Sequence, residues 1–162
     1  QRATLRLNGV PIGQIINQQE VPSAWPSRPQ SGGSIIGIIA TDAPLLPVQC
    51  KRLAQRAIVG LARTGGLGNN SSGDIFLAFS TGNVFRVNQA SQIIGDLRML
   101  PHSALDPFFE AVAQAMEESI WNALTGAETM TGRDGHTAHA IPLERLREVH
   151  SEFHALATRH GS

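Results

Sequence analysis

The chain has 162 residues, 41% hydrophobic and 16% charged, enough for one domain with a sizeable core and too apolar for a disordered chain. Thirteen basic side chains balance thirteen acidic ones, so no net field draws it to nucleic acid or an anionic membrane, and a small or neutral ligand fits better. The single cysteine, Cys50, excludes an internal disulfide and says little about compartment.

In chain order, Leu5 and Leu7, then Asn8-Gly9, then Val10 and Ile12 form the pattern of a hairpin about an Asn-Gly turn. From Asn17 to Gly33 the composition shifts to Gln, Ser, Pro and Gly, and Pro22, Pro26 and Pro29 are too closely spaced for helix or central strand. We read this as an exposed linker and, because long structureless loops in compact domains are usually functional or disordered, as a processing segment. Ser34 to Thr41 follows as a strand apolar on both faces, the pattern of a central strand covered on each side.

Pro47 to Arg63 carries apolar residues at three- and four-residue intervals with Lys51, Arg52, Gln55 and Arg56 between them, which predicts an amphipathic helix packed on a sheet. Thr64-Gly65-Gly66 ends it and opens a glycine-rich loop. Asp74 to Ser80 reads as a second buried strand, and Val84 to Asn88 as a third, joined to it as a hairpin through Thr81-Gly82-Asn83. Ser103 to Thr125 predicts the longest helix, with Leu105, Phe108, Phe109, Val112, Met116, Ile120, Ala123 and Leu124 as its stripe and Pro107 in its first turn. Thr129 to Gly135 is polar and turn-rich, and Leu143 to Arg159 predicts a closing amphipathic helix. The longest apolar run is far short of the roughly 20 residues a spanning helix needs, and no signal peptide opens the chain. The expectation is a soluble, cytoplasmic protein. Because the chain starts at Gln1 without methionine, it is also expected to be part of a longer one.

The chemistry-bearing junction is Gly32-Gly33-Ser34. A serine at the mouth of a buried strand, preceded by glycines, becomes a new N-terminus if the bond after Gly33 is cut. It then carries a weak nucleophile together with a base, since a free α-amine has an unperturbed pKa of about 7.7 to 8.0 and can accept the hydroxyl proton. By composition alone the same junction also reads as an ordinary loop meeting a strand. Ser71-Ser72-Gly73-Asp74 enters the second strand. If that strand neighbours the first, Ser72 and Asp74 project to one side, where the carboxylate could orient an α-ammonium and the hydroxyl bond to it, while the Gly73 N–H could face a developing oxyanion. A loop cap is the plainer alternative there.

Other features are weaker. The loop from Thr64 to Asp74 lacks Gly-Lys-Ser/Thr and precedes a strand, against nucleotide binding. His150 and His154 lie four apart without a metalloprotease Glu pattern, so no metal and no cofactor is expected. Cys50 falls on the apolar face of the first long helix as an inert thiol, and Arg133 with Asp134 reads as a turn or interface pair.

Four segments taken together carry a resemblance: Ser-Gly-Gly-Ser-Ile-Ile-Gly-Ile-Ile-Ala-Thr-Asp-Ala-Pro-Leu-Leu-Pro (31 to 47), Arg-Leu-Ala-Gln-Arg-Ala-Ile-Val-Gly-Leu-Ala-Arg-Thr-Gly (52 to 65), Ser-Gly-Asp-Ile-Phe-Leu-Ala-Phe-Ser (72 to 80) and Thr-Met-Thr-Gly-Arg-Asp-Gly (129 to 135). In this order they closely resemble the self-processing family of the L-aminopeptidase/D-amidase/D-esterase and the β-peptidyl aminopeptidases. The resemblance implies an α/β (α+β) chain that is part of a four-layer α/β/β/α sandwich related to ornithine acetyltransferase. It implies a cut between Gly33 and Ser34, making residues 1–33 the tail of a large subunit and 34–162 the small subunit. Ser34 matches the nucleophile, Ser72 the serine that bonds near its amine, and Asp74 the acidic residue that fixes that amine or the substrate's.

The implied activity is a serine aminopeptidase or amidase acting on short peptides, amides or esters with a free amine. The implied partners are the large subunit of the same precursor and further processed pairs in a homo-oligomer. The family's oxyanion-hole asparagine and pocket tyrosine belong before the region matching Gln1, so this stretch alone is expected to be nearly inactive. A catalytically incomplete structural fragment is one alternative. An acyltransferase of the ornithine acetyltransferase type is another, opposed by the serine at position 34, where that family is expected to use threonine.

Overall fold

The amphipathic pattern from Pro47 to Arg63 becomes helix α2 with those limits, and Leu143–Arg159 becomes α4. The computed structural model describes residues 2–24, 33–84 and 96–159, with side chains described as far as residue 156. The remaining helices are the single turn α1 (Ile12–Ile15) and α3 (Asp106–Thr125); the strands are β1 (Ile36–Thr41), β2 (Ile75–Ser80), β3 (Met130–Thr131) and β4 (Thr137–Ala138). The chain divides into two compact units: Gln1–Gly33, Leu61–Ser72 and Glu117–Ser162 form the first, Ser34–Gly60 and Gly73–Met116 the second.

In the second unit β1 and β2 pair in parallel, from Ile36 opposite Ile75 to Thr41 opposite Ser80. Parallel neighbours need a long crossover, and α2 supplies it, making a β-α-β unit. At the start of α2 the fully buried Gln49 accepts from the Leu46 N–H at 3.0 Å and donates to the Leu100 carbonyl at 2.7 Å. A glutamine third in a helix reaching back to the amide before it is half of a capping box. Cys50, Leu53, Ala54, Ala57 and Gly60 complete the buried stripe of this helix. On its other side Arg52 and Arg56 lie over the Phe109 ring, 5.0 and 4.4 Å from its centroid.

One expectation about the strands is corrected. The apolar residues on both faces predicted a strand covered on each side, but alternate residues are open: Ile36 is 71% exposed, Phe79 45%, and Ile38, Ile75 and Leu77 lie between. The opposite face is closed by Gly37, Phe76 and Met116, packed so tightly that a Cβ on Gly37 would stand 2.7 Å from Phe76 Cδ1. The third strand, expected from Val84 to Asn88, lies outside the described residues except for Val84, which is not in a strand.

The first unit gathers Val10, Ile12, Ile16, Val21, Trp121, Leu146 and Val149 into one core. The predicted hairpin shrinks to a single bridge between Leu7 and Val10. Asn8 and Gly9 take positive φ, as the tight turn demands, but Pro11 follows at once and the chain enters α1 instead of a second strand. The linker expectation also needs correction at its near end. Val21 is buried, its carbonyl accepts from Arg2 Nη1, Glu20 pairs with Arg145 at 3.3 Å, and the Ala24 carbonyl lies 2.9 Å from His136 Nδ1. Apolar anchoring thus reaches well into the proline- and serine-rich stretch. The long helix begins at Asp106 after a 3-10 turn at His102–Ala104, and its buried side rotates from the expected stripe to Val112, Ala113, Met116 and Trp121.

Candidate active site

The parallel register brings the entries of β1 and β2 side by side. The backbone ladder starts where the Ile75 N–H donates to the Ile35 carbonyl at 2.9 Å. Ahead of that point two side chains continue it. Asp74 Oδ1 accepts the Ile35 N–H at 3.0 Å, and Ser34 Oγ accepts the Gly73 N–H at 2.9 Å. Ser34, Gly73 and Asp74, which are 39 and 40 positions apart in sequence, therefore meet at one end of the sheet. Ser34 is exposed. Gly33 is exposed too, and among the described residues nothing lies within 4 Å of where its Cβ would stand.

An acceptor role for Ser34 Oγ leaves its own proton free to be given away, the condition a nucleophilic hydroxyl needs. The Gly73 N–H points at that hydroxyl. Serving an oxyanion instead would require Ser34 to release it. Ser72 belongs to the first unit; its hydroxyl is buried and has no hydrogen-bond partner among the described residues. Buried polar atoms are nearly always satisfied, so such an atom needs an explanation.

The remaining candidates carry less. Cys50 is buried, and that burial pushes its thiol above the ordinary value, the direction opposite to an activated nucleophile. His150 and His154 face each other with Nε2 atoms 3.1 Å apart, and among the described residues no group of three or more His, Cys, Asp or Glu could hold a metal. Arg133 and Asp134 pair at 3.4 Å in an exposed turn where Asp134 has positive φ. No described helix is long and apolar enough to cross a membrane. Sequence reasoning did not single out Ile35, whose backbone amide ties Asp74 to the junction, nor Gln49.

The chain of mixed helix and strand, with a serine at the entry of a strand that has a parallel partner, has relatives of known family. Residues 1–138 match the model of peptidase family S58, and the chain belongs to that family. It is 39% identical over 165 residues to the β-peptidyl aminopeptidase BapA of Sphingosinicella microcystinivorans, covering 96% of this chain and 41% of that protein. Among solved structures, the PH0078 protein of Pyrococcus horikoshii OT3 superposes with a TM-score of 0.80 at 44% identity, over 94% of this chain and 40% of that one. The L-aminopeptidase D-Ala-esterase/amidase of Ochrobactrum anthropi, described as a prototype serine aminopeptidase and a variant of the Ntn hydrolase fold, gives 0.80 at 41%, again over 94% and 40%. The chain thus spans about two fifths of the length of these relatives.

Proposed function

We propose that the complete protein is a self-processing serine aminopeptidase or amidase, cut between Gly33 and Ser34, and that Ser34 is its nucleophile. The observation that carries this reading is the pair of side chains at the sheet entry, with Ser34 Oγ held as an acceptor beside Asp74. Residues 1–33 are then the tail of the large subunit and 34–162 the small subunit. The open apolar face of β1 and β2 supports a second sheet from the rest of the precursor, as in the four-layer α/β/β/α sandwich related to ornithine acetyltransferase.

After the cut, the Ser34 amine takes the hydroxyl proton as Oγ attacks the substrate carbonyl that follows a free N-terminal residue. The tetrahedral intermediate collapses, the proton passes to the leaving amine or alcohol, and an ester on Ser34 remains. Water then releases the acid and restores the hydroxyl. Ser72, whose buried hydroxyl has no hydrogen-bond partner among the described residues, is the group proposed to bond to the Ser34 amine, and Asp74 the charge that attracts an ammonium. The substrates are short peptides, amides or esters with a free amine, in keeping with the names of the relatives, and the working form is an oligomer of processed pairs.

The test is the complete precursor with Ser34→Ala. It should run as one chain of unchanged mass on a denaturing gel and hydrolyse nothing; a Ser34→Ala precursor that still splits sinks the assignment. The second reading, a catalytically incomplete stretch, is favoured by the two-fifths coverage and applies to residues 1–162 alone. Losing one oxyanion donor costs roughly 100- to 1,000-fold in turnover, so these residues by themselves should show little hydrolysis.

A further inference from the structure

The structure assigns to Arg52, Arg56 and His102, gathered about the Phe109 ring, the role of an anion site that takes a phosphate group. The site lies on α2, on the 3-10 turn and on α3, apart from the sheet entry that holds Ser34, and it does not rest on the proposed function. Arg52 and Arg56 stand one turn apart on α2, with their guanidinium carbons 5.0 and 4.4 Å from the centroid of that one ring. The two charges are therefore within about 10 Å of each other, the Debye length at about 0.1 M salt, and repel. The electron-rich face of the ring offsets part of that repulsion. A carboxylate would offset the rest. Among the described residues none pairs with either side chain, whereas Arg63, Arg133, Arg145 and Arg147 each have one. Glu110, next to Phe109 on α3, accepts from Gln114 at 3.1 Å instead.

The donors are available to a ligand. A guanidinium only donates, so the 3.1 Å contact between Arg52 Nη1 and His102 Nδ1 makes that ring nitrogen the acceptor and puts the imidazole proton on Nε2. Cation–π attraction uses the charge of each guanidinium and not its N–H groups. Among the described residues Arg52 donates to His102 and Arg56 to no acceptor. Both arginines and Phe109 are half-buried while His102 is exposed, so the stems are held by packing and the charged heads face an open site. Two fixed positive charges with N–H forks match a tetrahedral dianion better than a carboxylate, because phosphate neutralises both and has an oxygen for each of the three side chains.

The test is calorimetric titration of the complete precursor with inorganic phosphate at low ionic strength, with acetate as the monoanion. Phosphate should bind saturably and acetate at least about 10-fold more weakly, since it meets only one of the two charges. Arg56→Gln should weaken phosphate binding about 10-fold or more. Phe109→Leu, which keeps both charges and loosens their hold, should weaken it about two- to fivefold, the scale of an exposed cation–π contact. Arg133→Gln removes a charge elsewhere and should change nothing. Absence of saturable binding, acetate binding as tightly as phosphate, or equal losses in Arg56→Gln and Arg133→Gln overturns the site. Thermal melting verifies folding, and should Phe109→Leu not fold, the two arginine variants decide. Glycerol phosphate, titrated in the same way, tells the ligand's source: affinity equal to that of inorganic phosphate assigns a phosphate ester, and much weaker binding assigns the free ion.

Discussion

The indole N–H of Trp121 donates to the carbonyl of Arg6 at 3.1 Å, joining positions 115 residues apart. The ring itself is buried among Val10, Ile12, Ile16, Val21, Leu146 and Val149. Trp121→Phe keeps most of the apolar area and loses the donor, an expected cost of about 1 kcal/mol. Trp121→Ala empties the centre of that core and should cost about 3–5 kcal/mol. Urea midpoints of the two variants check the order. A Trp121→Ala shift no larger than that of a surface substitution would show that the first unit does not depend on this core.

Two glycines at the sheet make a contrasting pair. Gly37→Ala would force a Cβ to within 2.7 Å of Phe76 and 3.2 Å of Met116 Cε, an overpacking expected to cost about 1–3 kcal/mol. Gly73→Ala places its Cβ 3.5 Å from Ser34 Oγ, an ordinary contact, and should leave stability within about 0.5 kcal/mol. Thermal melts of both variants should differ accordingly.

The buried thiol gives a pH dependence whose sign can be stated. Burial raises the Cys50 pKa above its ordinary 9.0, so the folded chain holds this proton to higher pH than the unfolded chain does. The contribution is fully present below pH 9.0 and is lost as pH climbs through the raised value. Cys50→Ala should accordingly lose less stability than the native chain between about pH 8 and about pH 10, measured by urea midpoints. Equal losses would mean that the thiol stays as accessible to ionisation as in an unfolded chain.

On the proposed function, the charge of Asp74 acts on an ammonium after the cut. Oδ1 is held by Ile35, which leaves Oδ2 to accept from an ammonium. Asp74→Asn in the cleaved enzyme should lower kcat/KM for aminoacyl amides about 10- to 100-fold, the scale of one charge-assisted hydrogen bond. Unchanged kinetics would leave Asp74 with its backbone bond alone.

Much of this was legible in the residues, and the gaps have physical reasons. The limits of α2 and α4 followed from periodicity, α2 burying one stripe from Gln49 to Gly60 and α4 burying Leu146 and Val149. The α3 stripe was misjudged around Trp121 because its burial is set by partners from Val10 to Val21, far away in sequence. Period-2 patterning could not separate a covered face from an open one, since Ile36 and Ile38 are as apolar as any core residue. The site was legible only in part. Residue types and strand entries pointed to Ser34, Ser72 and Asp74, but the bond from Ile35 to Asp74 depends on the parallel register, a tertiary fact.

Val10, Ile12, Ile16 and Val21 all lie upstream of the Gly33–Ser34 bond, while Trp121, Leu146 and Val149 lie downstream of it, and they share one core. Each such side chain contributes roughly 1.5–3 kcal/mol by burial, so hydrolysis of that bond should not free the upstream piece. The two products should co-elute on size exclusion and part only in denaturant; separation in native buffer would contradict this. On the proposed function, covalent continuity at the junction is needed only until folding is complete, and a molecule cut there would be a two-chain body held by apolar contact.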